Sequence, residues 1–469
     1  MLNFFGRNKE LKSIYEILDK NEQQNILIYG RRRIGKSFLA RKALEKYDSK
    51  KIIYQCKNIS EESTVEQLTK ITREAFNNKY LSFSNLEDLF DFLFSQNDLI
   101  LFLDEYSFLR ERVEGLDSII QQKIDEYKFS SNMKLILSGS AIDLMKNLID
   151  YNNPLYGRFN LVINLKEHNY LESSLYYPNF KNEEKVWLYS LFGGEPYYNS
   201  LIDSSKSVKE NIIDLAIKEN SALEINIIGS IKNEISKISC ANEVLNAIAI
   251  GKKKNLDIAS TAHVDSATMN NALKRLISLD IIEKIKPINS NSERKSLYVI
   301  KSNPIRFYYK YIYMNIEKRD SLGPENFFDT CVLEDFKKQF VPNVYENIAK
   351  QYLILRNRLG LNTPSFLEIG TYYFDDPKNK KNGQFDVVTL DKNGYIFYEV
   401  KFTKELIGET VLHEEMNQLK NLNINYYKLG FISKNGSNLD KEKYILYDLN
   451  DLYNLKIDWS LLIFILEAT

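Results

Sequence analysis

Asn25-Ile26-Leu27-Ile28-Tyr29-Gly30-Arg31-Arg32-Arg33-Ile34-Gly35-Lys36-Ser37 is the stretch from which the fold follows. Residues 25–30 are a short apolar run ending in glycine, the pattern of a strand buried on both faces. From Gly30 to Ser37 the chain fills G-x-x-x-x-G-K-[ST] at every fixed position. The glycines let the backbone curl until its N–H groups face phosphate oxygens. The helix expected over 36–46 adds the positive end of its dipole. Lys36 then reaches the β- and γ-phosphates, and Ser37 ligates Mg²⁺. Gly30, Arg31, Arg32, Arg33, Ile34, Gly35, Lys36 and Ser37 are therefore candidate nucleotide contacts, with ATP and Mg²⁺ the expected ligands. The side chains of Arg31, Arg32 and Arg33 read equally well as solvated or as phosphate-facing.

Working outward, residues 8–20 carry Leu11, Ile14, Tyr15 and Leu18 at helical spacing. Residues 51–56, 98–104 and 133–139 read as further strands, and 62–97 as mostly helical. Strands alternating with helices imply right-handed crossovers and a parallel sheet, so an α/β domain is expected over 1–165. Asp104-Glu105 closes the strand 98–103. Asp104 there suits a magnesium contact, and Glu105 can orient an attacking water; a plain helix-capping pair is the competing reading. Ser138-Gly139-Ser140 ends the next strand. Ser140 reads as a γ-phosphate sensor or as part of a simple turn.

Phe5-Gly6-Arg7-x-x-Glu10-Leu11, the arginine-rich loop, Leu103-Asp104-Glu105-Tyr106, Leu137-Ser138-Gly139-Ser140 and Pro154-Leu155-Tyr156-Gly157-Arg158 follow one another in order. This series resembles the archaeal-type ATPases of the AAA-related, signal-transducing STAND class. Gly193-Gly194-Glu195-Pro196-Tyr197 is similar to the glycine-proline element of that class, which implies that Pro196 sits against the nucleotide. The resemblance also implies Arg158 as a γ-phosphate sensor or arginine finger, a role that competes with an ordinary salt bridge. It implies ATP acting as a switch more than as a fuel.

The 469 residues hold 63 Lys+Arg and 63 Asp+Glu, so any nucleic-acid surface must be local rather than global. Cys56, Cys240 and Cys331 are far apart and lack metal-ligand spacing, which suits core thiols in a reducing cytoplasm. No signal peptide and no membrane span are expected. Homo-oligomerisation driven by ATP is a third possibility beside an enzyme and a regulator.

Residues 166–238 read as a helical extension. Over 239–315, helical patterns at 241–252, 256–263 and 266–279 precede a hairpin of 281–287 with 296–300. Three helices and a hairpin is the winged-helix order, a helix-turn-helix variant. Residues 241–310 hold 12 Lys/Arg against 6 Asp/Glu. DNA contact by Lys252, Lys253, Lys254, Lys274, Arg275, Arg294 and Lys295, with Asn270 and Asn271 as base readers, stands level with pure packing.

Residues 316–469 bring Tyr345-Glu346-Asn347 on a helix, Gln384-Phe385-Asp386 on a strand and Tyr398-Glu399-Val400-Lys401 on the next. Asp391-Lys392-Asn393-Gly394 between those strands is a hairpin signal, because Asn-Gly tolerates positive φ. Glu399 and Lys401, two apart on a strand, share a face. Hairpin pairing then brings Asp386 beside Glu399, where two carboxylates suit Mg²⁺ and the lysine can steady a metal-activated hydroxide; a structural salt-bridge cluster is the alternative. The order resembles the PD-(D/E)XK nuclease fold, in the form found at the C-terminal end of such ATPases. That resemblance implies Asp386 and Glu399 as metal ligands, Lys401 as base or orienter and Glu346 as accessory acid, with His413 and Gln418 as weaker substrate contacts. Phe385 stands where the motif has proline. The expectation is a multidomain α/β protein: a P-loop parallel-sheet ATPase domain, helical extension, winged-helix module and α/β restriction-endonuclease-like domain.

Overall fold

The computed structural model describes residues 4–231, 235, 238–290, 296–376 and 381–455. The chain packs as two units, Met1–Glu167 and His168–Thr469.

In the first unit five strands form one parallel sheet: β1 Gln24–Tyr29, β2 Lys50–Gln55, β3 Leu99–Asp104, β4 Lys134–Gly139 and β5 Leu161–Asn164. Their order is β2-β3-β4-β1-β5. Alternation along β1 feeds two cores. Ile26 and Ile28 join Leu39, Phe102 and Ile136 on one face, while Leu27 and Tyr29 join Phe90, Leu101 and Leu137 on the other. Every residue of β1, β3 and β4 is buried, which is why each reads as a continuous apolar run. β5 carries no such run. Only Ile163 of its four residues is buried, since it is an edge strand, so periodicity gave no warning of it. The stretch 62–97 divides into helices Glu61–Phe76 and Leu86–Phe94. Asn77 at φ 49° ends the first, and the Asn85 side chain caps the second by accepting from Asp88 N.

The second unit begins with short helices, among them Tyr170–Ser174, Asn182–Phe192 and Pro196–Asn199. Helices Ala241–Ala249, Asn255–Ala262 and Ser266–Ser278 then precede an antiparallel pair, β6 Ile282–Ile285 and β7 Leu297–Ile300. The stretch after β6 does not stand clear of the molecule. Ile288 N donates to Thr371 O at 2.9 Å, and Asn289 Nδ2 donates to Tyr373 O at 2.7 Å.

A second five-stranded sheet holds β8 Glu368–Asp376, β9 Lys381–Asp391, β10 Gly394–Lys401, β11 Lys428–Ser433 and β12 Ile445–Asp448. Its order is β12-β11-β10-β9-β8. β8, β9 and β10 run antiparallel to their neighbours, whereas β10, β11 and β12 pair in parallel. In the β9–β10 turn the positive φ falls on Gly394 alone, at 127°, and Asn393 does not share it. Asn393 N instead donates to Asp391 Oδ1 at 2.8 Å, so a side chain closes the turn.

Helix Val341–Arg358 packs on one face of this sheet through Tyr345, Ile348 and Tyr352, in a core that reaches from Tyr170 to Leu452. Helix Glu409–Asn421 packs on the opposite face with Leu412 and Leu419. The β8–β9 ladder slips between Gly370 and Tyr372, so two residues of β9, Asp386 and Val387, stand opposite one of β8, Thr371. Phe385 and Val388 consequently face the Leu412 core, while Val387 faces the Tyr345 core. Asp386 lies in this bulge.

Candidate functional site

The loop after β1 is built by backbone that L side chains rarely adopt. Gly30 has φ 152°, and a Cβ there would lie 2.4 Å from Leu165 O. Arg33 at φ 66° and Gly35 at φ 91° complete the curl. Helix Lys36–Leu44 starts at Gly35 and directs its free N–H groups into the loop. Lys36 is buried, and its Nζ donates to Arg31 O at 2.9 Å. Burial holds the Lys36 pKa below its ordinary value, against the pull of Glu105 and Asp104.

β3 carries Asp104 to the same end of the sheet. Ser37 Oγ donates to Asp104 Oδ1 at 2.9 Å, and the Ser138 hydroxyl donates to the same oxygen. A hydroxyl and a carboxylate in contact are the hard-oxygen donor pair that Mg²⁺ takes beside nucleotide phosphates. Glu105 is held in the left-handed region at φ 53°. It accepts from Ser140 N at 3.0 Å and Ser140 Oγ at 2.7 Å. Lys36, Ser37, Asp104, Glu105 and Ser140 thus converge at one end of the sheet. Ile34 is buried, Arg32 and Arg33 are exposed, and Arg31 pairs with Glu167 at 2.8 Å.

Arg158 stands elsewhere. It grips Asp125 with Nη2 at 2.8 Å and Nε at 3.0 Å, and Nη1 donates to Pro154 O. The salt-bridge reading describes this position, and the pairing raises its already high pKa. Pro196 opens a four-residue helix in the second unit, preceded by buried Glu195, which accepts from Ser302 Oγ at 2.8 Å. Arg7 was not foreseen as a site residue. Its buried guanidinium donates to Ile34 O at 3.3 Å and Lys166 O at 2.5 Å, bracing the phosphate loop from behind. The Gly6-Arg7 pair was visible in the sequence, but its target 27 residues away was not.

The second set of candidates is divided. Glu346, on helix Val341–Arg358, lies near Asp386 and Lys350. Its carboxyl is pushed up to about 8 by burial and then by the Asp386 charge. Gln384 Nε2 holds Asp386 Oδ1 at 2.6 Å. Glu399 instead forms an ion pair with Lys401 and a hydrogen bond with Glu415 of helix Glu409–Asn421. Burial, then Glu399, pushes Glu415 up to about 8. The expected Asp386–Glu399 pair is not a rung of the β9–β10 ladder, although Glu399 still acts on Glu346 through its charge. The β9–β10 ladder ends at Tyr398↔Val387, and the bulge turns Asp386 toward Glu346. Among the described residues no three or more His, Cys, Asp and Glu side chains gather as a metal site. Each carboxylate pair has oxygen chemistry suited to Mg²⁺. Glu415 was missed because an acid on an exposed-looking helix has no motif; only packing brings it to β10. His413 is exposed and reaches Glu409 at 3.9 Å.

On the three-helix module, Asn270, Asn271, Lys274 and Arg275 all lie exposed on helix Ser266–Ser278. Lys252 and Lys254 are exposed as well, with Lys254 Nζ 5.5 Å from the Tyr373 ring centroid, while Lys253 is half-buried. Arg294 and Lys295 lie outside the described residues.

Comparison with known proteins accords with this geometry. Residues 4–201 match a family model described as an ATPase domain predominantly from Archaea. Residues 308–430 match one described as archaea bacterial proteins of unknown function. The chain is 28% identical over 457 residues to an uncharacterized protein of Methanocaldococcus jannaschii, covering 96% of this chain and 99% of that one. Its fold is similar to that of a Walker-type ATPase of Pyrococcus abyssi, at 18% identity and a TM-score of 0.50 over 65% of this chain and 96% of the other. The chain thus carries an archaeal-type ATPase domain, which hydrolyses ATP, and a C-terminal mixed-sheet domain. No described helix is long and apolar enough to cross a membrane.

Proposed function

With an archaeal-type ATPase domain as the premise, we propose that the protein is a STAND-class ATP switch that controls a nucleic-acid-directed C-terminal domain. The observation that carries the reading is the Ser37–Asp104 contact of 2.9 Å beside buried Lys36. It sets a Mg²⁺ donor pair at a helix N-terminus, where β- and γ-phosphates bind. In this reading Lys36 neutralises the phosphates, Glu105 orients the attacking water, and Ser140 positions Glu105. Ser37 and Asp104 would hold Mg²⁺, which would supply charge neutralisation.

The proposed divisions are 1–165 for the ATPase domain, 166–238 for the helical extension, 239–315 for the winged-helix module and 316–469 for the restriction-endonuclease-like domain. The exposed face of Asn270, Asn271, Lys274 and Arg275 is the DNA-contacting surface. Phosphodiester cleavage by Glu346, Asp386, Glu399 and Lys401 needs the two carboxylate pairs to act on one phosphate. A plasmid-nicking assay with Mg²⁺ and ATP tests this, with Lys401→Ala as the control. Nicking by the wild type alone is the expected result; equal background in both proteins removes the nuclease assignment.

A second reading, a non-cutting regulator, draws on one specific observation. Lys401 takes up Glu399 and Gln384 takes up Asp386, contacts that hold both carboxylates without a metal ion. DNA binding by both proteins without nicking is the outcome that favours it.

A further inference from the structure

A cavity of about 190 Å³ opens within the second unit, where the three-helix module, helix Val341–Arg358 and β9 meet. Its lining includes Lys253, Arg306, Lys350, Glu346 and Asp386. Arg306 is the unusual member. Its guanidinium carbon lies over Phe340, 4.2 Å from the ring centroid. Its Nε and Nη2 are buried without a hydrogen-bond partner. These two N–H groups form one edge of the guanidinium, the fork that matches two oxygens of a carboxylate or phosphate. Glu346 lies within electrostatic reach of Arg306, but no ion pair joins them among the contacts of the described residues.

A buried guanidinium edge without an acceptor bears the desolvation cost of a charged group with nothing in return. Such a group is expected to have a use. The contact with Phe340 and the burial of the side chain restrain the fork, so an arriving anion has less of it to order. Two lysines on the same wall favour an anion of more than one charge. The volume admits a phosphate group with part of what it is attached to.

We propose that this cavity is a binding site for a terminal phosphate, a phosphomonoester held bidentately by Arg306 Nε and Nη2 and balanced by Lys253 and Lys350. A 5′-phosphorylated strand end and a free nucleoside monophosphate present the same group. The cavity shares Glu346 and Asp386 with the proposed cleavage set, but binding in EDTA is read without cleavage, so failure of one is distinguishable from failure of the other.

The test uses the full chain in EDTA, with fluorescence anisotropy of a short single-stranded oligodeoxynucleotide. One probe carries a 5′-phosphate and the other a 5′-hydroxyl. The wild type should prefer the phosphorylated probe by about tenfold or more, the effect of one charge-assisted bidentate contact. Lys36→Ala should keep that preference, because the phosphate loop is not the site. Arg306→Met, which retains the stacking chain on Phe340, should abolish it, and Lys350→Gln should reduce it. Inorganic phosphate should compete. Deoxynucleoside 5′-monophosphate competing as well as the oligonucleotide identifies free nucleotide as the ligand; weaker competition identifies a strand end. Equal affinity for both probes in the wild type overturns the proposal, as does a preference lost in Lys36→Ala or kept in Arg306→Met. Should Arg306→Met fail to fold, an unreduced preference in Lys350→Gln without phosphate competition overturns it equally.

Discussion

Lys36 sits below the protein surface with its ammonium on a loop carbonyl, so its removal leaves the loop without a charge rather than the fold without a prop. Lys36→Ala should weaken ATP binding by about 10- to 100-fold, as expected for charge-assisted contacts of ~1.5–3 kcal/mol. Calorimetric titration checks this, beside an unchanged circular dichroism spectrum. Asp104→Asn keeps an oxygen for the Ser37 and Ser138 hydroxyls but loses the charge that Mg²⁺ needs. ATP binding should change only a few-fold while turnover falls at least ~100-fold, the scale of removing an electrostatic catalytic group; wild-type phosphate release would contradict it. Gly30→Ala meets both a φ of 152° and a carbonyl at 2.4 Å. Thermal melting should show a loss on the order of 1–3 kcal/mol. These residues were legible because spacing in sequence and proximity in space coincide within one loop. Arg7 and Glu415 were not, because their partners, Ile34 O and Glu399, are supplied by other elements.

Among the elements, β9 shows how one extra residue alters chemistry. A regular hairpin would turn Asp386 and Glu399 to one face; the bulge opposite Gly370 and Tyr372 sends Asp386 toward Glu346. Their mutual repulsion and burial keep Glu346 protonated to about pH 8, against an ordinary value of 4.5. In EDTA the folded protein therefore holds a proton that the unfolded chain has lost, and wild-type stability falls as pH rises from about 4.5 to about 8. Glu346→Gln, which never ionises, should match the wild type near pH 4. It should become the more stable by ~1–3 kcal/mol at pH 8 and level off above that. Denaturant unfolding at three pH values measures the difference, and a constant gap would refute the placement. Most helices and strands were legible in the apolar spacing. The exceptions were β5, too short and exposed to show a pattern, the strands β11 and β12 beyond the carboxylate hairpin, and the φ of the hairpin turn, which Gly394 takes alone.

The molecule as a whole divides by its cores. The β1–β5 sheet fills both its faces from residues 14–165, so a fragment of residues 1–167 should unfold cooperatively on its own, read by circular dichroism on heating. A broad, non-cooperative melt would show that the first unit borrows stability from the rest. Beyond residue 168 one core runs from Tyr170 through Leu276 and Tyr345 to Leu452, so the helical, three-helix and mixed-sheet segments share their buried surface. The sequence by itself determined the phosphate loop, the parallel sheet beneath it and the order of acids and lysine near the other end. Those features depend on local spacing, which backbone periodicity converts directly into position. Only the tertiary structure decided that Arg158 grips Asp125, that Glu399 meets Lys401 and Glu415, and that Arg306 presents an unpaired edge to a cavity. Such outcomes depend on which side chains distant segments bring together, and a one-residue slip in a ladder reverses the face a side chain occupies.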